Sequence, residues 1–101
     1  MNRKQASLVG LMMRAGSLVT GEEQTVRTIQ SGRAALVLLS DDASFQTEKR
    51  ITNKCAYYQV PLARGFTRGE LGQAVGKEER VSACVTDAGF ADSYQRKAEQ
   101  I

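Results

Sequence analysis

Six consecutive apolar residues, Ala34-Ala35-Leu36-Val37-Leu38-Leu39, end abruptly on Ser40-Asp41-Asp42. A strand with one face in water alternates apolar and polar side chains, whereas an unbroken run this short fits a strand covered on both faces. Whatever surrounds this run must therefore supply two covering layers. The segments on either side read as helices. Leu8, Leu11, Met12 and Ala15 recur at i, i+3, i+4 and i+7 and predict a first helix with those four facing inward. Arg3, Ser7, Gly10 and Arg14 share another side of that helix and read as a solvated face, and Gly16 suits its left-handed stop.

Ser17-Leu18-Val19 reads as a short strand, and Thr20-Gly21-Glu22-Glu23 as a capping box in which Thr20 caps and Glu23 reaches back. The second helix points Val26 and Ile29 inward and ends near Ser31-Gly32. After the central run, Ser44 caps a third helix with Thr47, Ile51 and Cys55 on its inner stripe. Val60-Pro61-Leu62 predicts a strand whose proline confines it to an edge. Thr67-Arg68-Gly69-Glu70 is another capping box, and it opens a helix with Leu71, Ala74 and Val75 inward and Gly76 at its end. Val81 to Thr86 alternates as a last strand, and Asp87 caps a final helix with Phe90, Tyr94, Ala98 and Ile101 on one side. Strands alternating with helices predict an α/β domain, a three-layer α/β/α sandwich with a small mixed sheet, spanning 1–101 as a single unit. At 101 residues such a unit buries a core without disulfides or metal.

Composition narrows the chemistry. The chain has no histidine, which removes imidazole acid–base catalysis, histidine-activated nucleophiles and most catalytic zinc sites. Its two cysteines, Cys55 and Cys84, are far apart inside apolar patterns and read as buried free thiols. Asp41-Asp42 after a buried strand resembles a magnesium site, but the order of elements supplies neither the third acid nor the lysine such a site needs. We therefore expect no catalytic residues, no bound metal and no cofactor. No apolar run approaches a membrane span and the N-terminus has no continuous signal-peptide core, so a cytoplasmic protein without membrane contact is expected. The net charge is +3, and all of it lies in residues 1–40, with five basic and two acidic side chains. That bias is compatible with nucleic acid but does not identify it.

Gly21-Glu22-Glu23-Gln24-Thr25-Val26-Arg27, the strand leading into Asp41-Asp42-Ala43-Ser44, Val60-Pro61 and Leu71-Gly72-Gln73-Ala74-Val75-Gly76 together resemble the ribosomal L7Ae/L30e family, in order and spacing over nearly the whole chain. The resemblance is nearest to small bacterial L7Ae-like members. It implies an L30e-like fold and binding of structured RNA, either kink-turn RNA or ribosomal RNA. It further implies ribosomal association, possible contacts with ribosomal proteins, and a monomer.

In that family the start of the second helix enters the RNA groove, where unpaired amides and the helix dipole favour phosphate. The resemblance assigns close backbone approach to Gly21, a polar base contact to Gln24 and a basic contact to Arg27. It also assigns the loop from Ala63 to Arg68 to the RNA, with charge from Arg64 and Arg68 and a stacking ring from Phe66. For Phe66 alone, core packing and RNA contact weigh equally. Two positions depart from the family pattern. Glu23 stands where kink-turn binders commonly have asparagine, and Ser44 where many have an acid, so guanine readout should be weaker here. Glu23 is otherwise explained by capping Thr20, and Ser44 by capping the third helix. A protein-interaction module that keeps the fold but has lost kink-turn recognition is the alternative. The Leu71-to-Gly76 segment reads as architectural, its small residues letting the helix approach the sheet.

Overall fold

The computed structural model describes residues 1–98. Five helices and four strands follow in the order α1 (Arg3–Arg14), β1 (Leu18–Thr20), α2 (Glu22–Gln30), β2 (Leu36–Leu39), α3 (Phe45–Tyr58), β3 (Leu62–Ala63), α4 (Arg68–Val75), β4 (Ser82–Val85) and α5 (Ala88–Lys97). The sheet order is β1-β4-β2-β3, with β4 antiparallel to both of its neighbours and β3 parallel to β2 at the edge. All four residues of β2 are buried, as are all four of β4. The alternation in Val81 to Thr86 therefore sorts side chains between two cores rather than between core and water.

Leu36, Leu38, Ala83, Val85 and Leu18 point to one face, where α1, α4 and α5 cover them with Leu8, Val9, Met12, Leu71, Val75 and Tyr94. Val37, Leu39 and Cys84 point to the other, under Val26 and Ile29 of α2 and Ile51 and Cys55 of α3. This is the expected α/β/α sandwich. Both thiols are free and buried, and burial pushes Cys55 up to about 11 and Cys84 up to about 12.

Several local expectations shift. The buried stripe of α1 is Gln5, Leu8, Val9 and Met12, while Leu11 is exposed and Ala15 is the exposed C-cap. The helix is turned toward Gln5 because that amide has work inside. Its oxygen accepts from the Asn2 backbone N–H at 2.9 Å, and its nitrogen lies 3.5 Å from the Tyr94 carbonyl. The inward strand residues after α3 are Leu62-Ala63, and Pro61 lies just outside, where its carbonyl accepts from the Val37 N–H at 2.9 Å. A proline needs no donor there. Gly72 serves its own downstream loop rather than the sheet, since a Cβ at that position would sit 1.8 Å from the Glu78 carbonyl oxygen. Close approach between helices instead occurs at Gly10, where a Cβ would be 3.2 Å from the Ala74 carbonyl. In α5, Ala91 and Tyr94 are buried and Phe90 is half-buried, while Ala98, its C-cap, is exposed; Ile101 lies outside the described residues.

Candidate nucleic-acid interface

Since β1, β2 and β3 run the same way, their C-terminal ends meet at one edge of the sheet, and α2, α3 and α4 all begin there. Three helix N-termini thus converge on a single end of the molecule. Amides and dipoles at such ends favour anions. Two of the three are occupied from within. Ser44 caps α3 by accepting from the Thr47 N–H at 3.2 Å, and Thr67 and Glu70 form a complete capping box on α4.

The start of α2 is different. Its N-cap is Gly21, at φ 98° and ψ 155°, and no side chain caps the helix. The proposed Thr20–Glu23 box does not form, because Thr20 is still paired in β1 and the chain turns into the helix at a glycine. Gly21 is fixed on both sides. Its N–H donates to the Ser82 carbonyl at 2.9 Å, and its carbonyl accepts from the Thr25 N–H at 3.0 Å. A positive φ with extended ψ is a conformation held almost only by glycine, so the residue type follows from the turn.

Released from capping, Glu23 turns to α3. Arg50 binds Glu23 at 2.7 Å and Glu22 at 2.8 Å, and the Thr47 hydroxyl donates to Glu22 at 2.7 Å. The Thr47 and Arg50 hydrogen bonds hold the Glu22 carboxyl below its ordinary range, and Arg50 does the same for Glu23. Glu22, Thr47 and Arg50 thus tie the first turn of α2 to α3. Sequence spacing marks none of the three for this contact. Arg50 is one of three cations on α3, with Lys49 and Lys54, and nothing in one chain's spacing pairs it with residues 27 and 28 positions earlier.

The loop from Arg64 to Arg68 is tied down by the acids that end β2. Arg64 reaches Glu48 at 2.5 Å, the Ser40 carbonyl at 2.9 Å and Asp41 at 3.8 Å. Asp41 also accepts from the Gly65 N–H at 3.0 Å, and Asp42 accepts from the Arg68 N–H at 2.9 Å while pairing with its guanidinium. Asp41 and Asp42 therefore brace this loop, and no cluster of metal-ligating side chains forms among the described residues.

The expected stacking role of Phe66 is corrected. Its ring is 1% exposed, within the core that includes Leu38 and Leu71, so no base can reach it. The exposed aromatic at this end is Phe45, first residue of α3 and 69% exposed, beside the Ser44 cap. An apolar side chain next to a helix cap gives no periodic signal, and only its exposure marks it. Of the remaining candidates, Gln24 and Arg27 are exposed on α2 one turn apart, and Arg27 lies near enough to lower the Glu23 carboxyl further. Gly21, Gln24, Arg27 and Ser44 thus stay at the open end, whereas Glu23, Arg64 and Arg68 are engaged in ion pairs.

The sequence profile of the ribosomal protein L7Ae/L30e/S12e/Gadd45 family matches residues 3–93. The chain belongs to this family. Over 85 residues it is 48% identical to a Bacillus subtilis protein named RNA-binding protein YlxQ, covering 84% of this chain and 85% of that one. A protein of the same name from Enterococcus faecium is 44% identical over 99 residues, 97% of this chain and 95% of the relative. A solved structure of a protein of unknown function from Bacillus halodurans C superposes with a TM-score of 0.90 at 45% identity, covering 94% of this chain and 96% of that one. Among the described residues no helix is long and apolar enough to cross a membrane.

Proposed function

We propose that this protein is a non-enzymatic binder of structured RNA, kink-turn-like or ribosomal, that works in the cytoplasm as a monomer associated with the ribosome. The observation that carries this reading is the open N-terminus of α2 in a member of a family whose near relatives bear the name RNA-binding protein. A phosphate at Gly21 would accept from first-turn amides that no side chain fills, with Gln24 and Arg27 reaching bases or sugar alongside. The Ser44 hydroxyl accepts from the Thr47 N–H and donates to the Thr47 hydroxyl oxygen at 3.0 Å, which leaves it one acceptor position for RNA, and Phe45 offers a ring on which an unpaired base can stack, supplying what the buried Phe66 cannot. Arg64 and Arg68 act mainly by shaping the loop that borders the site.

Binding to a kink-turn hairpin and to a plain duplex of equal length, compared by gel shift, tests this. The expected result is preference for the bent RNA, weakened by Arg27→Ala. Binding of neither RNA refutes the proposal.

The Glu23–Arg50 pair favours a second reading. A carboxylate cannot donate to guanine acceptors and repels phosphate, which suits a fold kept for docking on a ribosomal or transcription-associated protein. Glu23→Asn separates the two readings. If kink-turn preference is absent in the wild type and appears in the variant, recognition has been lost in this chain and the interaction-module reading stands.

A further inference from the structure

The end of the molecule at the open α2 start is poor in net positive charge. Glu22, Glu23, Asp41, Asp42 and Glu48 gather there against Arg50, Arg64 and Arg68, all three of which are in ion pairs. The excess charge lies elsewhere. α1 contains Arg3, Lys4 and Arg14 and no acidic residue, so it carries as much positive charge as the net +3 of the whole chain.

Arg3, Ser7, Gly10 and Arg14 fall within about 60° of one another on the helix, at 100° per residue. Their stripe lines an open groove of about 530 Å³ whose other wall is Gln73 and Ala74 of α4. Neither guanidinium makes a hydrogen bond or ion pair among the described residues, and the two arginines are about 16 Å apart along the axis, enough for several phosphates. Gly10 keeps the floor low, with the Ala74 carbonyl just beneath. Glu70 is the acid on the rim, and it is engaged by the Thr67 N–H at 2.9 Å and by the Met1 amino group at 3.7 Å. That amino group also donates to the Gly65 carbonyl at 2.8 Å, so the groove starts beside the loop bordering the α2 site and runs away from it along α1.

We propose that the groove between α1 and α4 holds the phosphodiester backbone of an RNA whose bent or unpaired part sits at the α2 end. This rests on the RNA-binding reading, and it divides the labour: the α2 end reads shape and holds phosphate on its open amides, and α1 supplies the cationic phosphate contacts that the paired Arg50, Arg64 and Arg68 do not. Charge complementarity calls for an anionic occupant, and continuity with the α2 site favours RNA over an acidic protein segment.

The test is the salt dependence of binding to a kink-turn hairpin extended by a stem, for the wild type and for Arg3→Gln/Arg14→Gln. Loss of two phosphate contacts should flatten the slope of log K against log salt by about 1.4–1.8. Between 50 and 200 mM salt the wild type should therefore lose roughly tenfold more affinity than the variant. Arg3→Lys/Arg14→Lys should retain the steep slope, Ser7→Glu should weaken binding without touching either arginine, and all variants should melt as the wild type does. An unchanged slope in Arg3→Gln/Arg14→Gln, with RNA still bound, overturns the groove alone; no RNA binding by the wild type overturns the RNA reading as well. If a polyglutamate peptide shifts the NMR signals of Ser7, Gly10 and Gln73 and the RNA does not, the occupant is an acidic protein and the proposal fails.

Discussion

Gly21→Ala isolates the backbone geometry on which the α2 end depends. The residue sits at φ 98° and ψ 155°, and nothing lies within 4 Å of where a Cβ would be, so the change introduces strain without a clash. Holding an L-residue in this region costs about 1–3 kcal/mol, partly offset by about 0.4–1 kcal/mol from a stiffer unfolded chain. The hydrogen bonds from Gly21 to Ser82 and from Thr25 to Gly21 oppose rotation of the flanking peptides, so the strain cannot relax cheaply. A net loss of about 1–2 kcal/mol corresponds to a melting point lower by about 4–16 °C for a domain of this size. Thermal unfolding followed by circular dichroism measures it. The decisive comparison is with D-alanine at position 21, introduced by chemical synthesis. A D-residue prefers positive φ, so it should melt at or above the wild type and leave α2 and RNA affinity intact. If the L- and D-alanine proteins were destabilised equally, the loss would come from the methyl group and not the dihedral, and the account of Gly21 would be wrong.

Phe66→Ala should cost about 3–5 kcal/mol of stability in urea, as a buried ring removed from the core, whereas Phe45→Ala should change stability by less than about 0.5 kcal/mol. The same Phe45→Ala protein should bind a bent RNA about 5- to 150-fold more weakly, and equal affinity would remove Phe45 from the site. Gly72→Ala should cost more than about 3 kcal/mol, because the added methyl meets backbone at Glu78 that cannot swing aside; a melting point within a degree of the wild type would refute that contact. Arg50→Ala should lower stability at pH 7 and make no difference at low pH. The Glu22 and Glu23 carboxyls are lowered in the folded state, so their contribution is full above the unfolded value near 4.5 and disappears as pH falls through the lower folded one. Denaturant titrations of both proteins from pH 7 to 3 should converge, and a gap that widens toward acid would reverse the assigned sign.

Layers and element order are legible in the sequence because they rest on periodicity. The buried run in β2, the capping box at Thr67 and the glycine stop at Gly76 each declare themselves within a few residues. Errors arise where a residue's partner is distant. Thr20 followed three residues later by Glu23 has the form of a capping box, but strand pairing with Ala83 keeps Thr20 extended, and Arg50 offers Glu23 a stronger partner. Leu11 fits the apolar spacing of α1 better than Gln5 does, yet Gln5 is buried because Asn2 and Tyr94 satisfy its amide. Phe66 and Phe45 are both phenylalanines beside helix caps, and only the tertiary fold sends one into the core and leaves the other on the surface. The candidate site suffers most from this: Arg64 and Arg68 are expected to supply charge to RNA, and their ion pairs with Glu48, Asp41 and Asp42 lie 16 to 26 residues away in sequence.

The pairing of those charges also bears on how such a site could recognise RNA at all. An arginine held between two carboxylates contributes little net field at a phosphate a few ångströms beyond it, because the pair looks like a dipole from that distance. Arg50, Arg64 and Arg68 are each held this way or by one close acid, and their guanidiniums are spent on fixing α2, α3 and the α4 loop in mutual register. What the end offers a ligand is therefore rigid shape, the open amides after Gly21, one exposed ring and the exposed Gln24 and Arg27 of α2. A flexible RNA that had to be bent at this surface would pay its bending energy with little electrostatic return, whereas one already bent would not. The arrangement suits RNA with a preformed bend, and under the proposed groove the attraction that brings the strand to the protein comes from α1.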